Sequence, residues 1–283
     1  MTEITQKAML VRLHIKQWGA RKQDKQVTHK IEKAYNATNS GSFNKRLVAE
    51  DAIKTVSKTA NAVRSFHYEN TLPWGDDGSR ILLSKNYLPY TSEMRMLKAS
   101  FEEAVARFIA DYKDLVEDAR VRLNDMFNRG DYPDGAQIEN KYGLEVFIDP
   151  LPSAADFRVT LQAEEIDQIR KRIQARNQSA FEEAMRDVWN RLYQSVKHMA
   201  DKLHQADAVF RNSLVNNLCE LCALLPRLNL SDSKELEDMR HQVEDKLCRF
   251  EPDELRTNLK KRSQVATDAS AILETMKGYI GNG

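Results

Sequence analysis

Several residue types and patterns are scarce in this chain of 283 residues. It has only 3 cysteines, and it has only 10 glycines and 7 prolines. So few glycines and prolines mean few built-in turns, which favours long helices over many-stranded sheets. Its longest apolar runs, such as 221–225, stop well short of the roughly 20 residues that a membrane span needs. The first residues contain no apolar core of signal-peptide length, and three cysteines cannot all pair within one chain. These absences predict a cytoplasmic protein that does not span a membrane.

The net charge of +1 also looks like an absence, but it is the sum of unequal segments. Residues 1–70 carry a net charge of +7, and residues 99–167 carry −9. Two interpretations stay open: the basic segment binds nucleic-acid phosphates, or it packs against the acidic segment within one chain or between subunits. The residues predicted to bind nucleic acid are Arg12, Lys16, Arg21, Lys22, Lys25, Lys30, Lys45 and Arg46.

Apolar spacing predicts a mainly α fold, an elongated helical bundle with two long helices and a small antiparallel β-sheet near one end. A period of two predicts strands over 9–16, 144–148 and 157–161, which we expect to share one sheet. Spacings of three and four predict the helices 46–66, 92–127, 163–205, 207–225, 233–250 and 252–277. We expect the N-terminal half, 1–162, and the C-terminal region, 163–283, to form one continuous domain.

The helix over 163–205 is long enough that its apolar stripe needs a partner along most of its length. That partner is either the helix over 92–127, running antiparallel, or a second subunit in a homo-oligomer. The apolar positions drift between spacings of three and four, which favours a bundle over a free coiled coil.

Candidate catalytic and metal sites are weak. The C-x-x-C at Cys219 and Cys222 lies in an apolar helical stretch, which favours buried core thiols over a zinc site. His67 with Asp76 and Asp77 could act as an acid–base site, but aspartates in a glycine turn usually bond the local backbone. We therefore predict no enzyme, no metal and no cofactor.

The segment 67–80 is unusually rich in aromatic residues, with a Pro-Trp pair and an Asp-Asp-Gly turn. Such residues anchor many interfaces, so the segment is predicted to bind a protein partner. The alternative is a packed loop that caps the bundle, with Trp74 as its internal anchor. The predicted partner-binding residues are Trp74, Asp76, Asp77, Arg80 and Tyr68.

The pattern H-Y-x-x-T-L-P-W-x-D-D-G-x-R-I-L at 67–82 and D-F-R-V at 156–159 resembles a family of bacteriophage and prophage proteins of unknown function. Further matches lie at 18–24, 40–47, 119–127, 131–133 and 225–229, so the resemblance covers most of the chain. It implies a phage-encoded cytoplasmic protein in host or phage nucleic-acid processes, with an ATPase as the candidate protein partner, and it supplies no catalytic residues.

The leading hypothesis is therefore a non-enzymatic, oligomeric helical protein that binds a macromolecular partner through residues 67–80. The alternative is a nucleic-acid-binding protein that uses the basic N-terminal segment.

Overall fold

The structure, a computed structural model, describes residues 2–75, 77–154, 162–205 and 209–280. Helices dominate and a small antiparallel sheet accompanies them, so the prediction of a mainly α fold is confirmed. The α-helices are α1 (Thr2–Lys7), α2 (Lys25–Ala34), α3 (Glu50–Glu69), α4 (Ser84–Leu123), α5 (Gly135–Glu139), α6 (Ala163–His204), α7 (Ser213–Leu228), α8 (Lys234–Val243), α9 (Pro252–Thr257) and α10 (Leu259–Ile280). The strands are β1 (Ala8–Lys16), β2 (Arg21–Gln23), β3 (Asn44–Arg46), β4 (Leu72–Pro73), β5 (Arg80–Leu83) and β6 (Gly143–Pro150).

The chain divides into two compact units, each assembled from separated segments. Unit 1 comprises Met1–Arg12, Tyr68–Tyr90 and Phe147–Gly283, and unit 2 comprises Leu13–His67 and Thr91–Val146. The predicted domain division at residue 162 stays a prediction.

Four strands form the larger sheet, in the order β4-β5-β1-β6. β1 and β5 pair antiparallel with Ala8 opposite Leu83, and β4 and β5 pair antiparallel with Leu72 opposite Ile81. The two strands predicted over 9–16 and 144–148 are present as β1 and β6, while the one predicted over 157–161 lies outside the described residues. β5 was not predicted because residues 81–83 are all buried, and a strand buried on both faces has no polar alternation.

The apolar stripe of α6 packs mainly against α10 and α7 in the core of unit 1. Contacts between His204 and Ser270, and between the stacked rings of Trp189 and Tyr279, show that α6 and α10 run antiparallel. This corrects the prediction that the helix over 92–127 covers α6, while the second subunit stays a prediction. Buried Arg262 strengthens this packing, because its guanidinium donates hydrogen bonds to carbonyl oxygens at the C-terminal end of α6.

Two helices extend across prolines that were expected to delimit them. α4 begins at Ser84 instead of residue 92 and contains Pro89, while α7 spans 213–228 and contains Pro226. Packing explains both, since a proline removes one backbone donor but buried neighbours can offset that loss. Tyr90 beside the first proline and Leu225 beside the second are each fully buried.

The last two predicted helices are each divided. The helix predicted over 233–250 is α8 followed by a π-helical turn, Glu244–Cys248. The helix predicted over 252–277 is α9 and α10, separated at Asn258. The side chain of Asn258 accepts hydrogen bonds from the backbone N–H groups of Lys260 and Lys261, so it caps α10 and ends α9.

Unit 2 has an aromatic core beneath a small ribbon of β2 and β3. The ring of Trp18 lies 6.1 Å from that of Phe108 and 5.8 Å from that of Tyr112. The hydroxyl of Tyr132 donates to the carbonyl oxygen of Leu47 at 2.8 Å, which fastens the end of β3. α3 follows directly and buries Val56, Ala60 and Val63, while the helix predicted over 46–66 starts four residues later than expected because residues 44–46 form β3.

Candidate functional site

Four of the eight basic residues predicted to bind nucleic acid lie in the β2–β3 ribbon of unit 2. In its antiparallel register Arg21 lies opposite Arg46, and Lys22 lies opposite Lys45. Like charges placed directly opposite each other destabilise a strand pair, so each cation needs either a counter-charge or free access to water. In the structure some of these cations are paired with a carboxylate, whereas others are exposed to water.

Lys45 points inward, which corrects its predicted role. Its side chain is only 7% exposed, and its ammonium lies 2.8 Å from a carboxylate oxygen of Asp131 and 3.6 Å from one of Asp24. It also donates to the carbonyl oxygen of Met126 at 2.8 Å. Asp131 belongs to the acidic segment, so this one lysine follows the alternative of internal charge complementarity and is not accessible to a nucleic acid.

The carboxylate of Asp24 has a second task, because it caps α2. It accepts a hydrogen bond from the backbone N–H of Val27 at 3.0 Å. That hydrogen bond is the largest cause that lowers the pKa of Asp24, with the charge of Lys45 adding to it. The cap fixes where α2 begins and therefore where its lysines stand.

Two further arginines are exposed but paired. Arg12 donates to Asp149 at 3.1 Å, which is also in the acidic segment, and its guanidinium lies 5.9 Å from the ring centre of Phe147. Arg46 pairs with Glu50 one turn along. Exposed pairs of this kind contribute little and exchange readily, so both guanidinium groups stay accessible.

The remaining predicted cations are exposed, and within the described ranges none of them lies within 4.0 Å of a carboxylate. They are Lys16, Arg21, Lys22, Lys25 and Lys30. α2 has no buried residue, and Lys25, His29 and Lys33 follow one another at a four-residue spacing that places them on one stripe. The aromatic residues among these cations differ, since Trp18 packs inward whereas Tyr35 at the end of α2 is 80% exposed.

A groove of about 600 Å³ lies beside the ribbon in unit 2. One wall is formed by residues 19–21, 46 and 48, and the other by the first three turns of α3. The groove brings Arg21 and Arg46 together with Lys54 and Lys58, two cations that the sequence analysis did not select. Their signal was faint, because lysines at a four-residue spacing on the polar face of a helix usually only solvate it.

The aromatic segment 67–80 is held within unit 1, and Trp74 is its internal anchor. Trp74 is only 3% exposed, its ring lies 6.3 Å from that of Phe181 in α6, and the guanidinium of Arg176 lies 5.6 Å from its ring centre. The predicted contact of Trp74 with a partner is therefore not available in this fold. Burial against α6 agrees with the alternative of a packed loop.

The other residues predicted for partner binding have different positions. Tyr68 is 55% exposed, and Asp77 is exposed in the turn, where the backbone N–H of Ser79 bonds its carboxylate and lowers its pKa. Arg80 is half-buried and donates to the hydroxyl of Thr71 at 2.7 Å, with its guanidinium 4.8 Å from the ring centre of Tyr68. Asp76 lies outside the described residues.

Arg191 is a residue of this region that the sequence analysis missed. From α6 its guanidinium donates to the carbonyl oxygens of Glu69, Tyr68 and Thr71, at 2.7, 3.1 and 2.8 Å. It also pairs with Asp187 at 2.8 Å. The sequence signal for Arg191 was its spacing of four residues from Asp187, and such a spacing of an aspartate and an arginine is common on any helix.

The weaker predicted sites are the acid–base group of His67, Asp76 and Asp77 and the cysteine pair Cys219 and Cys222. His67 is buried at the end of α3, whereas the carboxylate of Asp77 serves its own turn. Burial raises the pKa of Cys219 to about 12, so its thiol is protonated at neutral pH. Among the described residues no group of three or more His, Cys, Asp and Glu side chains could hold a metal ion.

Comparison with protein families, with curated proteins and with solved structures finds no significant match for this chain. The resemblance to phage proteins stays a prediction. In the part of the chain that the structure describes, no helix is both long enough and apolar enough to cross a membrane.

Proposed function

We propose that this protein binds nucleic acid through the basic surface of unit 2, defined here as Arg21, Lys22, Lys25, Lys30, Lys33 and Arg46. One observation carries the proposal: on this short stretch the cations are exposed, and all but Arg46 lack a carboxylate within 4.0 Å among the described residues. Unpaired surface cations gain free energy when they bind phosphates and release counterions.

The different pairing of the buried and the exposed cations supports the proposal further. The one deeply buried lysine of the ribbon, Lys45, has two carboxylates, so the chain supplies partners where burial demands them. The neighbouring exposed cations receive none. A surface that served only internal packing against the acidic segment would place Arg21 and Lys22 near acidic side chains too.

The test is binding of a labelled oligonucleotide measured by fluorescence anisotropy at low salt. A triple variant, Lys22→Gln, Lys25→Gln and Lys30→Gln, removes three charges of the basic surface and should weaken binding strongly. The matched control removes three exposed lysines elsewhere, Lys113→Gln, Lys141→Gln and Lys171→Gln, and should bind like the wild type. Equal binding by the two triple variants would refute the proposal.

The second candidate function is a protein–protein contact near residues 67–80, and a cavity favours it. Tyr68, Glu69 and Arg191 border a cavity of about 510 Å³ in unit 1, whose apolar side is formed by Leu221 and Leu224. Tyr68 takes over the anchoring role that was predicted for Trp74, because it is the exposed aromatic residue of the two.

The test separates this contact from nucleic-acid binding. Affinity purification from cells, with and without nuclease, should capture a partner protein. Capture should persist after nuclease treatment and should be lost when Tyr68→Ala is used as the bait. The basic-surface triple variant should retain that protein. Loss of the captured protein after nuclease treatment would count against this second function.

The broader expectations belong with these proposals. They are a non-enzymatic, phage-encoded, cytoplasmic protein, an elongated bundle built on the two long helices, a homo-oligomer, and an ATPase as the protein partner. Light scattering over a range of concentrations tests the oligomer, and a strict monomer would contradict it. Small-angle scattering tests the elongation.

A further inference from the structure

The groove beside the ribbon adjoins the basic surface. It is lined by residues 19–21, 46 and 48 on one side and by residues of the first three turns of α3 on the other. All of these residues belong to unit 2, and Arg21 and Arg46 are shared with the basic surface. The groove therefore continues the charged surface into a recess.

The electrostatic balance of the groove favours an anion. Its two carboxylates, Glu50 and Asp51, are already paired with Arg46 and Lys54. The other two cations, Arg21 and Lys58, are exposed and have no carboxylate within 4.0 Å in the described part of the chain. Arg21 also lies directly opposite Arg46 in the ribbon, so a phosphate between them would relieve the repulsion of the two guanidinium groups.

The floor of the groove is apolar. Ala20 and Val48 are almost fully buried beneath it, Ile53 is half-buried, and Gly19 has no side chain to fill the space. A cationic rim over an apolar floor suits a strand whose phosphates meet the cations while sugars or bases cover the floor.

We infer that the groove holds a single strand of nucleic acid, an inference that rests on the proposed function and narrows it to a substrate class. A duplex keeps its bases stacked inside a cylinder and cannot insert a nucleotide into a recess of about 600 Å³. An unpaired strand can, because its bases are free to turn outward. The exposed ring of Tyr35 on the same unit is available for stacking further along such a strand.

Gly19 allows the groove to be blocked without any change of charge. A Cβ atom added at Gly19 meets no atom within 4 Å, and the backbone there is not in the left-handed region, so Gly19→Leu adds an aliphatic side chain without backbone strain and without a ring on which a base could stack. Gly135, also in unit 2, has the same open space and serves as the matched control in Gly135→Leu.

The experiment measures the affinities of the wild type and both variants for labelled oligothymidylate, oligouridylate and a DNA duplex, by anisotropy at low salt. We expect the wild type to prefer the single strands, and Gly19→Leu to weaken single-strand binding by about 10-fold or more, the effect of losing about one stacked base. Gly135→Leu should bind like the wild type. Circular dichroism and urea unfolding verify that both variants are folded, and Arg21→Gln with Lys58→Gln provides a second test of the groove.

The outcomes separate this inference from the function beneath it. No binding of any nucleic acid by the wild type would overturn both. Binding that is lost in the basic-surface triple variant, but is unchanged in Gly19→Leu and in the double groove variant, would overturn the groove and leave the function standing. Equal or stronger binding of the duplex would also overturn the single-strand assignment.

Discussion

The salt dependence of binding is the sharpest quantitative consequence of the basic surface. Five of its cations have no carboxylate partner among the described residues: Arg21, Lys22, Lys25, Lys30 and Lys33. If each neutralises one phosphate of a single strand, the logarithm of the association constant should fall against the logarithm of salt concentration with a slope of about −3.5. Between about 50 mM and about 200 mM salt the affinity should then drop roughly 100-fold.

The triple variant Lys22→Gln, Lys25→Gln and Lys30→Gln changes this slope by a predictable amount. Two cations of the basic surface remain without a carboxylate partner among the described residues, so the slope should become shallower, about −1.4 instead of about −3.5. The same change of salt should then weaken binding only about 7-fold. The assay is anisotropy of labelled oligothymidylate, titrated with protein at four or more salt concentrations. The slope is more informative than one affinity, because it counts phosphate contacts.

Two results would refute this reasoning. The first is a wild-type slope near zero, which would mean that no phosphate is neutralised. The second is an unchanged slope in the triple variant, since that would place the contacts elsewhere on the molecule. The control triple variant at Lys113, Lys141 and Lys171 should keep the full wild-type slope.

The remaining predictions concern stability and reactivity. Trp74→Ala should lower the free energy of unfolding by about 3–5 kcal/mol in urea, because it empties a buried site in unit 1. Lys45→Met should cost about 3–5 kcal/mol, because it leaves Asp131 buried without its cation. The pKa of Asp24 is lowered in the fold, so its contribution to stability is complete above its ordinary pKa of 3.8 and is lost as the pH falls through the folded value; Asp24→Asn should flatten that acid limb. Burial raises the pKa of Cys219 to about 12, so its thiol should react slowly with iodoacetamide near neutral pH and rapidly in urea.

Each of these has a contrary outcome. A change below about 1 kcal/mol in Trp74→Ala would mean that Trp74 is not a core residue. Wild-type stability in Lys45→Met would mean that the ion pair between Lys45 and Asp131 does not stabilise the fold. An unaltered acid limb in Asp24→Asn would assign the loss of stability at low pH to other carboxylates. Fast alkylation of Cys219 in the native protein would show that the pKa of its half-buried thiol is not raised.

Helices and strands were predicted best where the apolar pattern continued over many consecutive residues. The helix predicted over 163–205 is observed as Ala163–His204, because its apolar residues repeat at helical spacing with no glycine or proline between them. β1 was recognised from its alternation in the same way. Element ends were less predictable, since α4 and α7 continue past their prolines where Tyr90 and Leu225 are fully buried, and burial is not recorded in the local pattern.

The same limit applied to the candidate sites. Charge segregation, and the list of basic residues, are properties of the sequence alone, and so is the unusual composition of residues 67–80. Whether a given cation is exposed depends on what folds against it. Lys22 and Lys45 are both lysines of the basic N-terminal segment, yet Lys45 is buried against Asp131 whereas Lys22 is exposed. Trp74 and Tyr68 differ in the same way.

By itself, then, the sequence determined the helical class, the long helix α6 and the separation of basic from acidic segments, because all three depend on local spacing and composition. Only the tertiary structure decided that α10 covers α6, that Lys45 turns inward, and that Arg21, Arg46 and Lys58 meet at one groove. The physical reason is that burial and charge pairing arise between segments far apart in the chain, whose approach no local pattern records.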